Sequence, residues 1–287
     1  MPFANALVVG PSPTGAPVPR PEAAIGAPNL PITQPAGAIG APNVFVPKPQ
    51  QLDPNASLIL WDNLLSPAGQ STAVQLALSE NTYERGTAQT FTITSTPTLM
   101  DTIALLGNYA GHTITVQVAG ITGGSLSTIA TLTPEDDRAI MIFFAERSVG
   151  EIRITTNQTS VQLSNISAGI ALQMERPLYG GHTPITMAQQ TEYQSRRTET
   201  ANFVSRNIIR KGLSTSFQYK NISADWARSQ FMPFKLAARK VPFFIAWRPD
   251  EYPAECAYAW TTGDINLVNQ GVRDLMDIEM QVQAYGE

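Results

Sequence analysis

The fold is decided by the stretch VPFFIAWRPDEYPAECAYAW, residues 241–260. Its apolar run, residues 243–247, ends in a polar turn, and three prolines interrupt the stretch as a whole. Aromatic-rich apolar runs bounded by turn residues predict a buried strand, here followed by a proline-containing loop and a second strand. The six aromatic side chains leave two interpretations open: the core of a β-domain or an aromatic binding surface.

The composition around this stretch is that of a folded protein with few charges. The length of 287 residues suggests two domains. Hydrophobic residues make up 43% of the chain, while the charged share of 15% is well below the usual quarter. A weakly charged surface is typical of proteins inside large assemblies or rich in strands. The net charge of −4 argues against a nucleic-acid partner.

Several classes of protein are excluded by simple counts. The single cysteine, Cys256, cannot form an intrachain disulfide, and we expect a small buried or interface thiol rather than a nucleophile. No run of eighteen apolar residues predicts a membrane span, and the N-terminus does not resemble a signal peptide. We therefore expect synthesis in a cytoplasm and no membrane partner.

The first 56 residues are predicted to form an extended arm. Thirteen of the 22 prolines precede residue 55, and proline disfavours both helices and central strands. Residues 24–30 recur as residues 38–44, fourteen positions later. The arm is either a disordered linker or a segment that docks in successive equivalent grooves of neighbouring subunits, and its apolar, nearly uncharged composition favours docking. The candidate interface residues are Ile25, Leu30, Ile39, Val44 and Phe45.

Residues 57–175 are predicted to form a β-sandwich. Short β-type runs start at residues 58–61 and end at residues 169–174, and no helical period separates them. Residues 113–118 alternate between apolar and polar, as in a half-buried strand. Residues 139–144 are continuously apolar, as in a strand between two layers. Many short strands joined by turns argue for an all-β sandwich.

Five runs of this segment follow one another in a characteristic order: residues 91–93, 103–108, 115–118, 152–154 and 167–169. Their order resembles the discoidin-like jelly roll, the fold of galactose-binding domains. The resemblance implies a jelly-roll sandwich, and members of that family often bind sugars through their loops. The corresponding loops of this chain lack a cluster of aromatic residues and carboxylates.

Residues 176–287 are predicted to form an α+β domain after a hinge of two glycines and two prolines at residues 175–184. Polar strands are expected near residues 190–196 and 203–210, where the basic residues of the chain concentrate. We interpret that concentration as a solvated or subunit-facing edge. A further strand is expected at residues 213–219, and the alternating residues 275–285 predict a half-buried closing strand.

One main helix is predicted in this domain, packed against an antiparallel sheet. Ser223 is its expected N-cap and Asp225 lies in its first turn. Pro233 should kink or split the helix near Phe231. Its predicted apolar stripe is made of Trp226, Phe231, Phe234 and Leu236.

No constellation of residues predicts catalysis. Motifs for phosphate loops, dinucleotide binding, zinc proteases and nucleophile elbows are absent from the sequence. His112 is interpreted as a turn histidine, and Asp136 with Asp137 as a solvated turn rather than a calcium loop. Asp250, Glu251 and Glu255 could pair as glycosidase carboxylates, but a surface role beside Arg248 is favoured. We expect no enzyme, no cofactor and no metal.

Three features resemble virion proteins of tailed bacteriophages: the PLYGG hinge, the Trp-bearing helix that leads into VPFFIAWRPDEYP, and the closing strand around residues 277–282. The resemblance implies a ring-forming structural subunit of the virion, an adaptor of tail, baseplate or collar. Its implied partners are copies of itself, other tail proteins and fibres. The alternative is a carbohydrate-binding module that attaches to a host surface glycan.

The position of the opening stretch between helix and closing strand favours the core interpretation. Alternation puts Phe243, Ile245 and Trp247 on one face and Phe244 on the other. Tyr252 and Trp260 lie outside the apolar run, and we predict that they belong to a subunit interface, where amphipathic rings are favoured.

Overall fold

The structure is a computed structural model that describes residues 56–79, 85–158, 161–197, 199–201, 203–249, 251–252, 254–271 and 273–285. The predicted arm, with its candidates Ile25, Leu30, Ile39, Val44 and Phe45, lies outside these residues. The described chain is mainly β and contains two antiparallel sheets, which confirms the predicted fold class. No helix in these ranges has the length and apolarity needed to cross a membrane. The domain boundaries at residues 56 and 175 stay predictions.

The six-stranded sheet lies in the region predicted as the sandwich. Its strands run in the spatial order β2-β7-β3-β6-β4-β5. They are β2 (Gly86–Thr87), β3 (Thr90–Asn108), β4 (Ile114–Ala119), β5 (Ser127–Leu132), β6 (Ile140–Thr156) and β7 (Gln162–Gly169), while β1 (Leu58–Leu60) belongs to the other sheet.

Two long strands, β3 and β6, run through both halves of this sheet. The sequence predicts two short runs each where the structure has the single strands β3 and β6. Their pairing register shifts between Thr94 and Thr98, and again between Met100 and Thr102. Such bulges bend a strand. Both halves of β3 therefore reach one core, where Phe91 and Ile103 are both fully buried, and the bent sheet forms the predicted sandwich.

A short helix in the sandwich region corrects the expectation that no helix lies there. Helix α1 (Thr72–Ala77) is capped by Ser71, whose hydroxyl oxygen accepts from the amide of Val74 at 3.4 Å. Val74 and Ala77 are buried in the sandwich core. Six residues are too few to give a clear helical period, although the cap followed by apolar residues at helical spacing is a recognisable signal.

The eight-stranded sheet has the order β8-β1-β11-β12-β14-β10-β9, and β13 pairs with β14. Its strands are β8 (Leu172–Gln173), β9 (Gln189–Arg197), β10 (Phe203–Ser223), β11 (Phe243–Ala246), β12 (Cys256–Thr261), β13 (Asn266–Asn269) and β14 (Leu275–Ala284). The first and last runs predicted for the sandwich, β1 and β8, pair here instead. Burial alone could not choose the sheet, because β1 is apolar on both faces.

The predicted helix is continuous but irregular. It consists of α2 (Ala224–Trp226), a π-helical turn (Ala227–Phe231) and α3 (Met232–Ala237). Pro233 lacks an amide proton, and a π turn lies where the sequence predicts a kink or split near Phe231; the helix is irregular there but not split. Ser223 holds the N-cap position, but its hydroxyl bonds to Glu175 at 2.8 Å instead of capping the helix. Leu236 is 53% exposed, so its predicted place in the apolar stripe is wrong.

Strand β11 lies between two cores, which confirms the core interpretation of the opening stretch. Phe243 and Ile245 face the helices, together with Phe231 and Phe234. Phe244 and Ala246 face the sandwich, in a cluster that we call the interlayer core. Its members are Leu58, Leu60, Ala104, Leu106, Ala139, Met141, Phe143, Ala171, Phe244, Ala246, Cys256 and Tyr258. Met141 and Phe143 meet this cluster while their neighbours in β6 face the sandwich core, so residues 139–144 lie between two layers as predicted.

Candidate functional site

The first candidate site is a two-stranded ribbon that extends beyond the eight-stranded sheet. Strand β9 ends the strand order, and residues 203–212 of β10 pair with β9 alone. Pairing of β10 with β14 begins at Leu213, opposite Ala284. We call residues 190–197 and 203–212 the ribbon. Eight extended residues span about 26 Å, so it is a long projection, and no described strand pairs with either of its two outer edges.

Two bulges order the side chains of the ribbon. The register shifts at Val204 and at Ile209, so β10 holds one extra residue at each place. As a result Ile208 pairs with Tyr193, and Arg206 pairs with Ser195, on the same face as Phe203. The Arg206 guanidinium lies 4.7 Å from the Tyr193 ring centroid. We call this set of Tyr193, Phe203, Arg206 and Ile208 the cationic–apolar face.

The paired positions on the other face of the ribbon are polar, and the two apolar bulge residues, Val204 and Ile209, are exposed as well. This face carries Asn207 opposite Gln194, and Glu192 lies two positions further along β9. Gln194 and Asn207 are exposed on this face, and on the cationic–apolar face Phe203 is 67% exposed, Ile208 53% and Tyr193 48%. An isolated two-stranded hairpin is marginally stable in water, and exposed apolar strand edges are templates for pairing. The ribbon therefore has the composition of a surface that is covered by a partner.

The second candidate site is a cluster of rings at the end of β11. Trp247 and Tyr252 stack in parallel, with ring centroids 5.3 Å apart. The Arg248 guanidinium lies 5.5 Å from the Trp247 ring centroid and 5.6 Å from that of Tyr252. His182 contacts Trp247 edge-on, with ring centroids 4.3 Å apart. This aromatic cluster joins the hinge segment to the turn after β11.

The carboxylates beside the aromatic cluster are engaged in structural contacts. The Trp247 indole N–H donates to the carboxylate of Glu255, which is only 7% exposed. Glu251 forms an ion pair with Arg248, which lies three residues earlier in the same turn. A glycosidase pair needs one carboxyl group free to donate a proton and another free to attack or to activate water. The surface role beside Arg248 predicted for Glu251 fits this geometry, and Asp250 lies outside the described residues. The same prediction is wrong for Glu255, because its carboxylate is buried against the Trp247 indole.

A cavity of about 450 Å³ opens beside the aromatic cluster. Its walls include His182, Trp247 and Arg248 together with the glycines and prolines of the hinge. Burial lowers the pKa of His182 from its ordinary value, because the charged imidazolium loses hydration there. Within the described part of the chain, the buried Nε2 of His182 has no hydrogen-bond partner. The cavity has the size and aromatic walls of a small-ligand site.

A larger groove, of about 810 Å³, lies where the sandwich meets the helix. Two tryptophans, Trp61 and Trp226, line it together with Leu99 and Ile170, which are 50% and 44% exposed. The exposed Asp62 also lies in its wall. The groove borders β8, at the edge of the eight-stranded sheet opposite to β9. The sequence gives no sign of it, because its walls come from four separate parts of the chain.

The predicted interface residues within the described ranges lie apart from each other. Tyr252 is 39% exposed and belongs to the aromatic cluster. Trp260 is 38% exposed and pairs with Gln283, whose amide bonds to Gln190 at the base of the ribbon at 3.2 Å. Their membership of a subunit interface stays a prediction. Reasoning from sequence placed the ribbon at an edge but missed that its strands run beyond the sheet.

The other residues weighed for chemistry have structural surroundings. Cys256 lies in the interlayer core, and its thiol donates to the carbonyl of Ala139 at 2.6 Å, so the predicted buried thiol is confirmed. Asp137 accepts from the amides of Tyr109 and Ala110, both at 2.7 Å, and thereby orders the turn that leads to His112. Among the described residues, no group of three or more His, Cys, Asp or Glu residues is arranged to hold a metal ion.

The architecture defines a mainly β protein in which a six-stranded antiparallel sandwich packs on a second antiparallel sheet. No family model matches this chain, and no curated protein matches it. It is similar to the structure of CBM32-1 from a family 31 glycoside hydrolase of Clostridium perfringens, at 12% identity and a TM-score of 0.30. That likeness covers 40% of this chain and 95% of the other.

Two further solved structures are similar over the same share of the chain. One is chitosan-binding module 1 from a chitosanase/glucanase of Paenibacillus sp. IK-5, at 14% identity and a TM-score of 0.29, covering 41% of this chain and 94% of that one. The other is a family 89 glycoside hydrolase of Clostridium perfringens, at 13% identity and a TM-score of 0.30. There the likeness covers 42% of this chain and 14% of the other.

Proposed function

We propose that this chain is a non-enzymatic structural subunit that assembles with copies of itself in the virion of a tailed bacteriophage. The resemblance of the hinge, helix and closing strand to such virion proteins supplies the setting. In that setting the chain acts as an adaptor of tail, baseplate or collar, and it binds neighbouring tail proteins or fibres.

The observation that carries the proposal is the ribbon. A strand pair with apolar residues on an exposed face, and with both outer edges open, gains stability from a partner and risks aggregation without one. Phe203, Ile208 and Tyr193 are each about half exposed or more, whereas comparable residues of β11 are buried. Selection against aggregation removes such surfaces from proteins that act alone, and assembly subunits retain them.

Two measurements test the proposal. Light scattering coupled to size-exclusion chromatography should give a mass that is a multiple of the 31.0 kDa monomer. Mass spectrometry of purified phage particles should detect the chain among the virion proteins. A stable monomer that is absent from the particles contradicts the proposal.

The second candidate function is glycan binding at the aromatic cluster. The cavity beside Trp247, with its stacked rings, a cationic guanidinium and an unpaired imidazole nitrogen within the described residues, favours this alternative. Sugars bind to proteins through aromatic faces and a few directed polar groups, and this cavity offers both. The ligand would be a neutral or acidic surface polysaccharide, since Arg248 faces the rings.

Binding to a glycan array and to host cell-wall fractions tests the second function. Tyr252→Ala should abolish binding, because it removes the exposed ring of the stack. Tyr193→Ala, which changes a ring of similar exposure on the ribbon, is the matched control and should leave binding intact. No binding of the unmodified protein to any surface polysaccharide excludes this function.

A further inference from the structure

Each copy of this chain carries a projection at one edge of a sheet and a groove at the other. The ribbon extends from β9 and β10, and the groove of about 810 Å³ borders β8. Seven strands in the order from β8 to β9 separate the two edges by about 29 Å, at roughly 4.8 Å per strand spacing. The two surfaces of one copy therefore point to different neighbours.

The chemistry of the two surfaces is complementary. The cationic–apolar face presents Phe203, Ile208 and Tyr193 around Arg206. The groove presents Leu99 and Ile170 around two tryptophans, with Asp62 in its wall. Apolar side chains of both partners would be removed from water, and the guanidinium would meet a carboxylate.

Net charge points to the same arrangement. Residues 189–211 contain five cationic and two acidic side chains, a net charge of +3. Because the whole chain carries −4, the remainder carries −7. Two ribbons repel each other, whereas a ribbon and the body of another copy attract. The charge distribution thus disfavours pairing of β9 with β9 across a two-fold axis.

We propose that the ribbon of one copy binds in the groove between sandwich and helix of a second copy, head to tail. A contact between two different surfaces of identical chains generates a ring when the rotation closes and a filament when it does not. The inference rests on the proposed function, for which it names the partner and the contact.

Complementation between two defective variants tests it. The ribbon variant Phe203→Ser/Ile208→Ser keeps an intact groove, and the groove variant Leu99→Glu/Ile170→Glu keeps an intact ribbon. All four positions are exposed, so both variants should fold. Each variant alone should have the monomer mass of 31.0 kDa, and an equimolar mixture should form a 1:1 dimer and nothing larger.

A double substitution on the polar face of the ribbon is the matched control for the two defective variants. The variant Gln194→Ser/Asn207→Ser, on the polar face of the same ribbon, should keep the full assembly mass. Assembly of both defective variants at wild-type mass overturns the head-to-tail contact, and so does failure of their mixture to associate. Either result leaves the proposed function standing as long as the unmodified chain is oligomeric. An unmodified chain that is monomeric and absent from virions overturns both.

A charge swap tests whether Arg206 of one copy pairs with Asp62 of the next. Arg206→Glu should raise the protein concentration needed for assembly at least tenfold. Asp62→Arg in the partner copy should restore assembly at the original concentration. Restoration of assembly by Asp62→Arg but not by Asp225→Arg, a neighbouring exposed acid, identifies the groove wall as the contact. Equal restoration by both substitutions overturns the assignment of Arg206 to this groove.

Discussion

Strand β11 and the ribbon have similar side chains and opposite surroundings. Phe243, Phe244 and Ile245 are each 1% exposed, because β11 lies between the helices and the sandwich. Phe203 and Ile208 of the ribbon are 67% and 53% exposed. Both regions are made of paired antiparallel strands, so local strand propensity does not separate them.

The two regions differ in what they contribute to the stability of the fold. Burial of a large apolar side chain contributes about 1.5–3 kcal/mol, and β11 gains this on both of its faces. The ribbon gains little of it within one chain, because its apolar side chains stay exposed. Strand β11 thus stabilises the fold, whereas the ribbon is the surface that we propose for the contact between copies.

The largest effect should follow from truncating one phenylalanine in each region. Phe244→Ala leaves a cavity in the interlayer core and should lower the free energy of unfolding by about 3–5 kcal/mol. Phe203→Ala should change it by less than about 0.5 kcal/mol, because an exposed ring leaves no cavity. Urea denaturation of dilute protein measures both changes, and equal losses would refute the contrast drawn here.

The next effect concerns the buried thiol next to β11. Burial raises the pKa of Cys256 to about 12, because the thiolate would lose its hydration, while the pKa of an unfolded thiol is about 8.5. Because the pKa is higher in the folded state, the contribution of the thiol to stability is complete at pH values below the pKa of the unfolded thiol. It declines as the pH rises above that pKa. Between about pH 9 and 11, unfolding free energy should fall by up to about 1.4 kcal/mol per pH unit relative to Cys256→Ala.

A labelling experiment checks the same point independently. Cys256 should react with a thiol reagent only upon unfolding, whereas a cysteine introduced on the ribbon by Asn207→Cys in a Cys256→Ala background should react at once. Rapid labelling of Cys256 in the native protein, or a pH profile identical to that of Cys256→Ala, would show that the interlayer core is open to solvent.

The smallest effect is expected at the aromatic cluster, which lies between the two extremes of burial. Because burial lowers the pKa of His182, the neutral form is favoured by folding, and stability is lost as pH falls below about 6.5. Melting temperatures at pH 7.5 and 5.0 should therefore differ more for the natural chain than for His182→Gln. The same difference in both proteins would contradict a neutral, desolvated imidazole.

Much of the fold follows from sequence because apolar patterns report burial directly. The continuous run 139–144 indicates a strand between two layers, and the alternation of Ile278, Met280 and Val282 indicates the half-buried β14. Pro233 fixes where the helix becomes irregular. In each case a single local cause, burial or a missing amide proton, outweighs the alternatives.

Other features depend on partners that are distant in sequence. The pairing of β1 with β11 joins residues that are almost 200 positions apart, and nothing local to Leu58–Leu60 selects that sheet. Leu236 was expected to be buried from helical spacing, but the π turn changes which side chains face the sheet. Helix α1 is too short for a periodic pattern to identify it.

The candidate sites divide in the same way. The sequence places the basic concentration at an edge and assigns Tyr252 and Trp260 to a surface. Both predictions use the charge or the amphipathic ring of single residues, which the sequence gives directly. The groove beside Trp61 and Trp226 is assembled from the sandwich, β8 and the helix, and no local pattern encodes such an assembly.

By itself the sequence determined the strand-rich composition, the buried run before Trp247, the place of the helix and the absence of recognisable catalytic motifs. These depend on local chemistry: which residues prefer strands, which side chains avoid water and where proline removes a hydrogen bond. Only the tertiary structure decided that β10 extends beyond the segment that pairs with β14, so that the ribbon is exposed. Exposure is a property of what packs against a strand, and that depends on the whole chain.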